Sequence, residues 1–283
     1  MSSNEEEFVE VWENSLEHEF SRLRKALHDY PCVAMDTEFP GVVARPIGEF
    51  RTTNEYQYQL LRCNVNMLKL IQLGITLYDN EGQRKRGTSI WQFNFKFSLV
   101  EDMYAQDSID MLTQAGIRFK RHEEDGIDPQ HFAELIISSG LVLCEGITWI
   151  TFGSGYDFGY LLKLLTANEL PAHDRGYFEL LSLYFPQVYD VKVLMKSCSN
   201  LRGGLQEVAD SLELERKGAQ HQAGSDSLLT GGAFFKIKKM FFDGYIDNDK
   251  FNGHLFGLGT ESSNGYTTSG NHNNNNHQTA ADS

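Results

Sequence analysis

The sequence has few cysteines, no acceptor site for N-glycosylation and no long hydrophobic run. Its four cysteines are far apart and form no Cys-x-x-Cys pair; they are Cys32, Cys63, Cys144 and Cys198. A secretory signal is not predicted, because the start of the chain is acidic rather than basic and apolar. The best apolar stretch, residues 135–144, is interrupted by polar residues and is too short to cross a bilayer. These absences predict an intracellular, reduced protein without a membrane partner.

Basic residues are also in the minority. The chain has 25 Lys and Arg residues against 39 Asp and Glu residues, which gives a net charge of −14 at pH 7. This charge argues against a protein that coats nucleic acid by bulk electrostatics, but it is compatible with a nuclease that holds phosphates through metal ions and a local basic patch. An acidic surface that only keeps the protein soluble needs no partner.

The sequence does contain enough apolar residues for one large α/β domain or two small ones, since 41% of its 283 residues are hydrophobic. The composition changes near the C-terminus, where Ser, Thr, Gly, Asn and His dominate. Such a segment has too few apolar residues for burial to compensate the conformational entropy that ordering would cost. We therefore predict a folded part, residues 1–258, and a disordered tail, residues 259–283.

Hydrophobic periodicity predicts the order of the elements. A long amphipathic helix over residues 8–30 is followed by a strand over residues 32–39 and, after a loop, by a helix over residues 55–66. The alternation of residues 68–78 and 88–97 around a turn predicts a hairpin. The first three strands are therefore expected to form an antiparallel half-sheet.

In the second half of the chain, helices alternate with two further strands. The strands are predicted at residues 147–152 and 188–195, and the helices at residues 103–116, 117–125, 129–139, 158–167, 177–184, 205–212 and 225–242. The predicted fold class is α/β, a mixed sheet flanked by helices on both faces. Gly231 and Gly232 are unfavourable inside the last helix, at about 1 kcal/mol each relative to Ala, and a close backbone contact would explain them.

Two acidic residues stand at the end of the first predicted strand. Side chains alternate between the faces of a strand, so Asp36 and Glu38 project from the same face. Two carboxylates at a buried strand end repel each other unless a cation lies between them, and oxygen ligands suit Mg²⁺ or Mn²⁺. A solvated strand end is the commoner arrangement, so the pair alone does not identify a metal site.

Two further acids precede apolar helices. Asp157 follows a buried strand at the opening of a helix, and Asp226 follows His221 by five residues at the start of another. Each acid is equally explained as a helix cap, and a single His near a helix start is more often structural. Asp190, on a predicted strand, is a candidate for a fifth acid, but pairing with Lys192 or exposure to solvent explains it equally, and we leave it outside the site.

The five groups are more informative as a set. Four carboxylates with two divalent ions about 4 Å apart form the clamp of in-line phosphoryl displacement. Histidine is the residue type whose ordinary pKa lies near neutrality, so His221 suits the role of a base that removes a proton from the attacking water. Spacing alone does not show that Asp36, Glu38, Asp157, His221 and Asp226 converge.

Four segments carry a family resemblance: residues 35–41 (MDTEFPG), 154–160 (SGYDFGY), 201–206 (LRGGLQ) and 221–226 (HQAGSD). They resemble the Caf-one (Pop-two) deadenylases, the DEDD-class ribonuclease subunits of the NOT-scaffold deadenylase complex. The resemblance implies a ribonuclease-H-like fold in a single DEDD-type exoribonuclease domain over residues 1–258. It also implies poly(A)-specific 3′→5′ exoribonuclease activity on messenger RNA, with release of 5′-AMP.

The family pattern assigns roles to the five groups. It implies that Asp36, Glu38, Asp157 and Asp226 bind two Mg²⁺ or Mn²⁺ ions and that His221 is the general base. The implied partners are the poly(A) tail of messenger RNA, a NOT-type scaffold protein, a deadenylase carrying leucine-rich repeats, and adaptors of the Tob/BTG type. The expected location is the cytoplasm, including processing bodies, with the nucleus as a second location.

One position departs from the family pattern. Gly153 stands where that family usually has His, which puts local packing or substrate contact in doubt but leaves the metal ligands intact. Two alternatives stay open: a DEDD exonuclease of broad substrate range, acting on DNA or short oligonucleotides, and a binding module that keeps the fold but works as an adaptor. For base recognition, the hypothesis is stacking of adenine on Phe39 or Tyr156, although such aromatics are more often part of the core.

Overall fold

The structure, a computed structural model, describes residues 8–84, 87 and 89–259. These residues form a six-stranded sheet of order β1-β4-β3-β2-β5-β6. In chain order the strands are β1 (Phe8–Val11), β2 (Cys32–Glu38), β3 (Gln72–Tyr78), β4 (Ile90–Asn94), β5 (Thr148–Thr151) and β6 (Gln187–Asp190). Only β3 is antiparallel to its neighbours, so the carboxyl ends of the other strands meet at one edge.

Helices cover both faces of this sheet, which confirms the predicted α/β fold class. They are α1 (Leu16–Leu27), α2 (Thr53–Met67), α3 (Gln106–Gln114), α4 (Phe119–Asp125), α5 (Pro129–Ile137), α6 (Gly155–Thr166), α7 (Asp174–Tyr184), α8 (Val191–Leu194), α9 (Leu205–Ser211), α10 (Ala223–Phe241) and α11 (Asn248–Phe251). None of these helices combines the length and apolar character that a membrane crossing requires.

The structure corrects two predicted elements. The helix expected from residue 8 begins at Leu16, because Phe8–Val11 form β1 and pair in parallel with the edge of β4. The strand expected over residues 188–195 ends at Asp190, because the Asp190 carboxylate accepts the Lys192 backbone N–H at 2.9 Å and starts α8. Helix α11 was not predicted, and residues 260–283 of the predicted tail lie outside the described residues.

The alternation of side chains along β2 separates two apolar cores. Val33 and Met35 pack in the core that includes α1, α2, α5 and α6, whereas Cys32 and Ala34 pack in the core that includes α8 and α10. By the same alternation, the side chains at positions 36 and 38 point to the α10 face. The end of β2 therefore presents its carboxylates to α10.

Helix α10 begins in direct contact with the sheet. Gly74 of β3 allows this approach, because a Cβ at that position would lie 1.9 Å from the carbonyl oxygen of Ala223. The first N–H groups of the helix donate to sheet side chains: Ala223 N to Gln72 Oε1 at 3.3 Å and Gly224 N to Gln92 Oε1 at 3.0 Å. Since the first N–H groups of a helix have no partner within it, the sheet replaces the missing cap and fixes where α10 starts.

Of the two adjacent glycines in the middle of α10, Gly231 is required by a close contact and Gly232 is not. A Cβ at Gly231 would lie 2.2 Å from ring atom Cε2 of Tyr78, whose hydroxyl donates to Leu228 O at 2.8 Å. A Cβ at Gly232 would meet only the Leu214 side chain, at 3.7 Å. The close contact expected from the sequence therefore exists at Gly231.

We expect Gly231→Ala to lower the free energy of unfolding by about 1–3 kcal/mol, because the added methyl displaces the Tyr78 ring. The matched control Gly232→Ala should be neutral or stabilising by up to about 1 kcal/mol, since Ala is the better helix former. Urea unfolding of the two variants measures both effects. Equal changes in the two variants would contradict the assigned contact.

Candidate active site

Two carboxylates extend from the end of β2 on the α10 face. Asp36 lies opposite Gly74 of β3, and Glu38 lies opposite Gln72. Glu38 is 7% exposed, whereas Asp36 is partly exposed. The missing side chain at Gly74 thus admits α10 to the sheet directly beside Asp36.

The first turn of α10 brings a third carboxylate to this place. The His221 backbone N–H donates to Asp226 Oδ2 at 2.9 Å, and Arg216 Nη1 donates to Asp226 Oδ1 at 2.5 Å. The Arg216 guanidinium also donates to Ser225 Oγ and Gln206 Oε1. Burial raises the pKa of Asp226, and the charge and hydrogen bond of Arg216 act against this rise. Both carboxylate oxygens are therefore held in a fixed orientation.

Three of the predicted site residues converge most closely. Glu38, His221 and Asp226 each offer one ligand atom, and these atoms all lie within 4.8 Å of one another. Oxygens on opposite sides of an octahedral Mg²⁺ ion are ~4.2 Å apart, since each Mg–O distance is ~2.1 Å. Small side-chain movements would bring these ligand atoms to the spacing that one ion requires.

The fourth carboxylate comes from the other face of the sheet. Asp157 lies in the first turn of α6, and Thr37 of β2 donates its hydroxyl to Asp157 Oδ1 at 2.6 Å. Burial raises the pKa of Asp157 to about 6, and the Thr37 hydrogen bond opposes this rise. Thr37 therefore joins α6 to β2 and favours the charged form of the carboxyl.

The carboxyls of Asp36 and Glu38 lie close enough to the other carboxylates to be affected by their charges. Burial raises the pKa of Asp36 well above its usual value, and the charges of Asp157, Asp226 and Glu38 raise it further. Burial, followed by the charges of Asp226 and Asp157, also raises the pKa of Glu38 well above its usual value. In each case an added cation would favour the ionised form. The donor set of four carboxylates and one imidazole therefore fits divalent ions that prefer oxygen ligands.

Sequence reasoning missed the polar residues that hold the site together. Gln222, just before α10, accepts N–H bonds from Gln92 at 2.9 Å and from Gln72 at 3.4 Å. Arg216 orients Asp226, and Thr37 orients Asp157. The one signal in the sequence concerned Gln72 and Gln92, because glutamine is unusual in a strand that is predicted to be buried.

Asp190 is a structural residue beside the site. It is 1% exposed and accepts backbone N–H bonds from Gly153, Lys192 and Phe256 at 2.8, 2.9 and 2.9 Å. Its bond to Lys192 is therefore to the backbone rather than to the ammonium group, and it does not face solvent. Its charge contributes to the raised pKa of Asp157, so the two carboxyls are neighbours.

The two aromatics considered for base stacking contact each other. The rings of Phe39 and Tyr156 stack with centroids 5.2 Å apart, and Tyr160 packs on Phe39 at the same distance. The stacked faces of Phe39 and Tyr156 are thus in contact with protein rather than open to a base. A role for either ring in adenine binding stays a prediction.

We call Asp36, Glu38, Asp157 and Asp226 the acidic centre. The fold and these side chains define a class of protein: ribonuclease-H-like nucleases with such a centre at one edge of the sheet. Comparison with known proteins narrows the class, since the family described as CAF1 family ribonuclease matches residues 11–134. The chain is 54% identical over 258 residues to the probable CCR4-associated factor 1 homolog 7 of Arabidopsis thaliana, which covers 89% of this chain and 93% of that protein. The chain belongs to the CAF1 family of ribonucleases.

Two proteins with solved structures support this assignment. The poly(A) ribonuclease pop2 of Schizosaccharomyces pombe is 52% identical over 254 residues, covering 90% of this chain and 76% of that protein. Its Mg²⁺- and Mn²⁺-bound structure matches with a TM-score of 0.87, over 89% of this chain and 100% of that one. CAF1 co-crystallised with the yeast NOT1 MIF4G domain matches with a TM-score of 0.75 at 30% identity, over 90% and 99% of the two chains. The family and fold implied by the sequence motifs are confirmed.

We expect Asp157 to make the metal-free protein less stable as the pH rises. Its pKa is about 6 in the folded protein, above the ordinary value of 3.8. A raised folded-state pKa contributes stability below the unfolded value, and this contribution is lost as the pH rises through the folded value. In chelator, the free energy of unfolding of Asp157→Asn should therefore increase relative to that of wild type as the pH is raised from about 4.5 to about 7.5, by on the order of 1–3 kcal/mol.

Urea unfolding of both proteins at the two pH values measures this gain. Asn keeps a side-chain oxygen that can accept the Thr37 hydrogen bond, so the variant removes the charge and little else. Asp247→Asn, at an exposed helix cap, is the control for losing a carboxylate elsewhere. A difference between wild type and Asp157→Asn that is constant across this pH range would refute the raised pKa.

Proposed function

We propose that this protein is a poly(A)-specific 3′→5′ exoribonuclease that uses two divalent metal ions, Mg²⁺ or Mn²⁺, and releases 5′-AMP. One observation carries the proposal: the convergence of Glu38, His221 and Asp226 beside Asp36 and Asp157. The 52% identity to a poly(A) ribonuclease, whose structure was solved with Mg²⁺ and Mn²⁺, supports the substrate and the metals.

Asp36, Glu38, Asp157 and Asp226 would hold the ions. When bound, two such ions supply activation of water and stabilisation of charge on the phosphoryl group and the leaving 3′ oxygen. The protein prepares the ligands for this role, because buried and mutually repelling carboxylates are stabilised when positive charge arrives. The hydrogen bond from Thr37 keeps the Asp157 oxygen oriented towards β2.

His221 acts as the general base that accepts the proton of the attacking water. Its backbone N–H bond to Asp226 holds the residue beside the carboxylates, and a ring nitrogen lies within 4.8 Å of the ligand oxygens of Glu38 and Asp226. The backbone of His221 is left-handed, with φ of 61°. His221 therefore lies in the turn before α10, two residues ahead of its first helical residue.

For the acidic centre, we expect Asp36→Asn to abolish the shortening of an RNA that ends in an A-tail, because one ligand charge is lost. The measurement is a ladder of 3′-shortened products with Mg²⁺, with Mn²⁺ and with chelator. The exposed Asp29→Asn, in the turn before β2, is the matched control and should keep full activity. Activity in Asp36→Asn equal to wild type would exclude the two-metal assignment.

For the base, we expect His221→Asn to reduce kcat by about 10²- to 10⁴-fold, the usual contribution of general base catalysis. Asn tolerates a left-handed backbone better than most residues, so the loop before α10 should keep its conformation. Single-turnover rates across pH, together with the shift in Tm on adding Mn²⁺, separate the base from a ligand. A variant with an unchanged rate, or one that loses the Mn²⁺ shift altogether, would overturn the base role.

Two rival functions are distinguished by substrate and by cell assays. Equal rates on A-tails, mixed-sequence RNA and DNA of the same length would indicate an exonuclease of broad substrate range. Equal tail shortening in cells that carry wild type or Asp36→Asn would indicate an adaptor. The complete set of carboxylates and His221 favours catalysis over the adaptor function.

We also propose that the protein is the catalytic subunit of a NOT-scaffold deadenylase complex. The 30% identity to CAF1 solved with the NOT1 MIF4G domain supports a NOT-type scaffold partner. A deadenylase with leucine-rich repeats, Tob/BTG-type adaptors, and a location in the cytoplasm, processing bodies and nucleus follow from the family resemblance alone. Co-purification of the full chain with a MIF4G domain tests the first partner, and imaging of the tagged protein tests the location.

A further inference from the structure

A pair of lysines follows β6 at the edge of the sheet that carries the acidic centre. Lys192 and Lys196 are four residues apart, and the ammonium groups of both lie 5.0 Å from the centroid of the Phe256 ring. The Lys192 ammonium also lies 5.5 Å from the Phe152 ring. Phe256 itself is 41% exposed. We call Lys192, Lys196 and Phe256 the basic rim.

Hydrogen bonds connect the basic rim to the turn at Gly153, which precedes Asp157 of the acidic centre. The buried carboxylate of Asp190 accepts backbone N–H bonds from Lys192, from Phe256 and from Gly153, which follows β5. Four residues after Gly153 comes Asp157, one of the proposed metal ligands. Strands β2, β5 and β6 are parallel neighbours, and Ala34, Ile150 and Tyr189 lie in register across them. The end of β6 therefore lies two strand spacings, about 10 Å, from the part of β2 just before Asp36.

Gly153 leaves the space in which the Lys192 side chain lies. A Cβ at Gly153 would be 3.2 Å from Lys192 Cδ, tighter than an ordinary contact, and the backbone there is left-handed with φ of 71°. A larger residue would press against the aliphatic part of Lys192. The glycine that departs from the family pattern therefore gives this lysine its present path along the rim.

The charges of the basic rim are available to an anion. In the described part of the chain, both ammonium groups lie against aromatic rings and form no ion pair with a carboxylate. A contact between a cation and an exposed ring is weak, so it positions the ammonium group without neutralising its charge. In a protein of net charge −14, two such cations beside an acidic centre complement a polyanion whose end enters that centre.

We propose that Lys192 and Lys196 bind phosphates of the RNA strand next to the nucleotide being removed, and that Phe256 holds the two ammonium groups in place. This inference rests on the proposed function, because it requires the 3′ end of RNA at the acidic centre. Contacts to phosphates carry no sequence information. The basic rim therefore positions the strand and does not select adenine.

Binding tests the basic rim independently of hydrolysis. The full chain is titrated into a 5′-labelled oligo(A) in chelator, and fluorescence anisotropy gives Kd over a series of salt concentrations. The double variant Lys192→Ala/Lys196→Ala should bind at least about fivefold more weakly at low salt. Its slope of log K against log salt should be smaller by about 1.4, since each phosphate contact on a single strand contributes about 0.7.

Lys250→Ala is the matched control. This lysine also lies on a ring, 5.1 Å from the Phe251 centroid, but its segment contacts the beginning of β6 through Asn252. It should leave Kd and the salt slope unchanged. The conservative variant Lys192→Arg/Lys196→Arg should retain the wild-type slope, which a merely structural role of the lysines does not require.

Hydrolysis in Mn²⁺ gives a second readout, in which the double variant should lose kcat/KM through a higher KM. If wild type shortens A-tails and the double variant has the same KM, Kd and salt slope, the proposed role of the basic rim in phosphate binding is refuted. The proposed function then stands. If wild type does not shorten RNA, the proposed function fails. The anisotropy series then decides the basic rim alone, and an unchanged slope overturns it.

Discussion

The structure depends on how α10 is fixed to the sheet. The helix starts without a cap of its own, and its first N–H groups are bound by Gln72 and Gln92 of two adjacent strands. Gly74 between them removes the side chain that would keep the helix backbone away. This contact sets the distance from α10 to β2, and so places Asp226 against the carboxylates of β2. A shift of one residue would turn the Asp226 side chain by about 100° around the helix axis.

A second constraint is electrostatic. Four carboxyls at one place have pKa values that desolvation raises, so the metal-free arrangement carries an energetic cost. The protein limits this cost locally: Arg216 donates to Asp226 and Thr37 donates to Asp157. These two contacts preserve the geometry that cations would use, in keeping with the preorganisation expected of a catalytic centre. Stability and function therefore make opposite demands on the same side chains.

The neighbouring end of β6 also carries a buried carboxylate, that of Asp190, whose charge has to be stabilised. Asp190 is buried and is stabilised by three backbone N–H groups instead of a cation. It thereby joins the turn at Gly153, the start of α8 and the segment at Phe256. The acidic centre and the basic rim thus share one framework at the sheet edge. Asp190, to which the sequence alone assigned no role, therefore holds together the segments that lie between the acidic centre and the basic rim.

The sequence by itself determined the family, the fold class, most elements and the identity of the candidate site residues, because strand alternation, helical periodicity and four local motifs are short-range patterns. Alternation alone places Asp36 and Glu38 on one face of β2. Only the tertiary structure decided that His221 and Asp226 lie beside them, because that proximity depends on the packing of α10 against Gly74, about 150 residues earlier in the chain. The same reason explains the missed β1, whose strand conformation comes from pairing with β4 rather than from its own four residues.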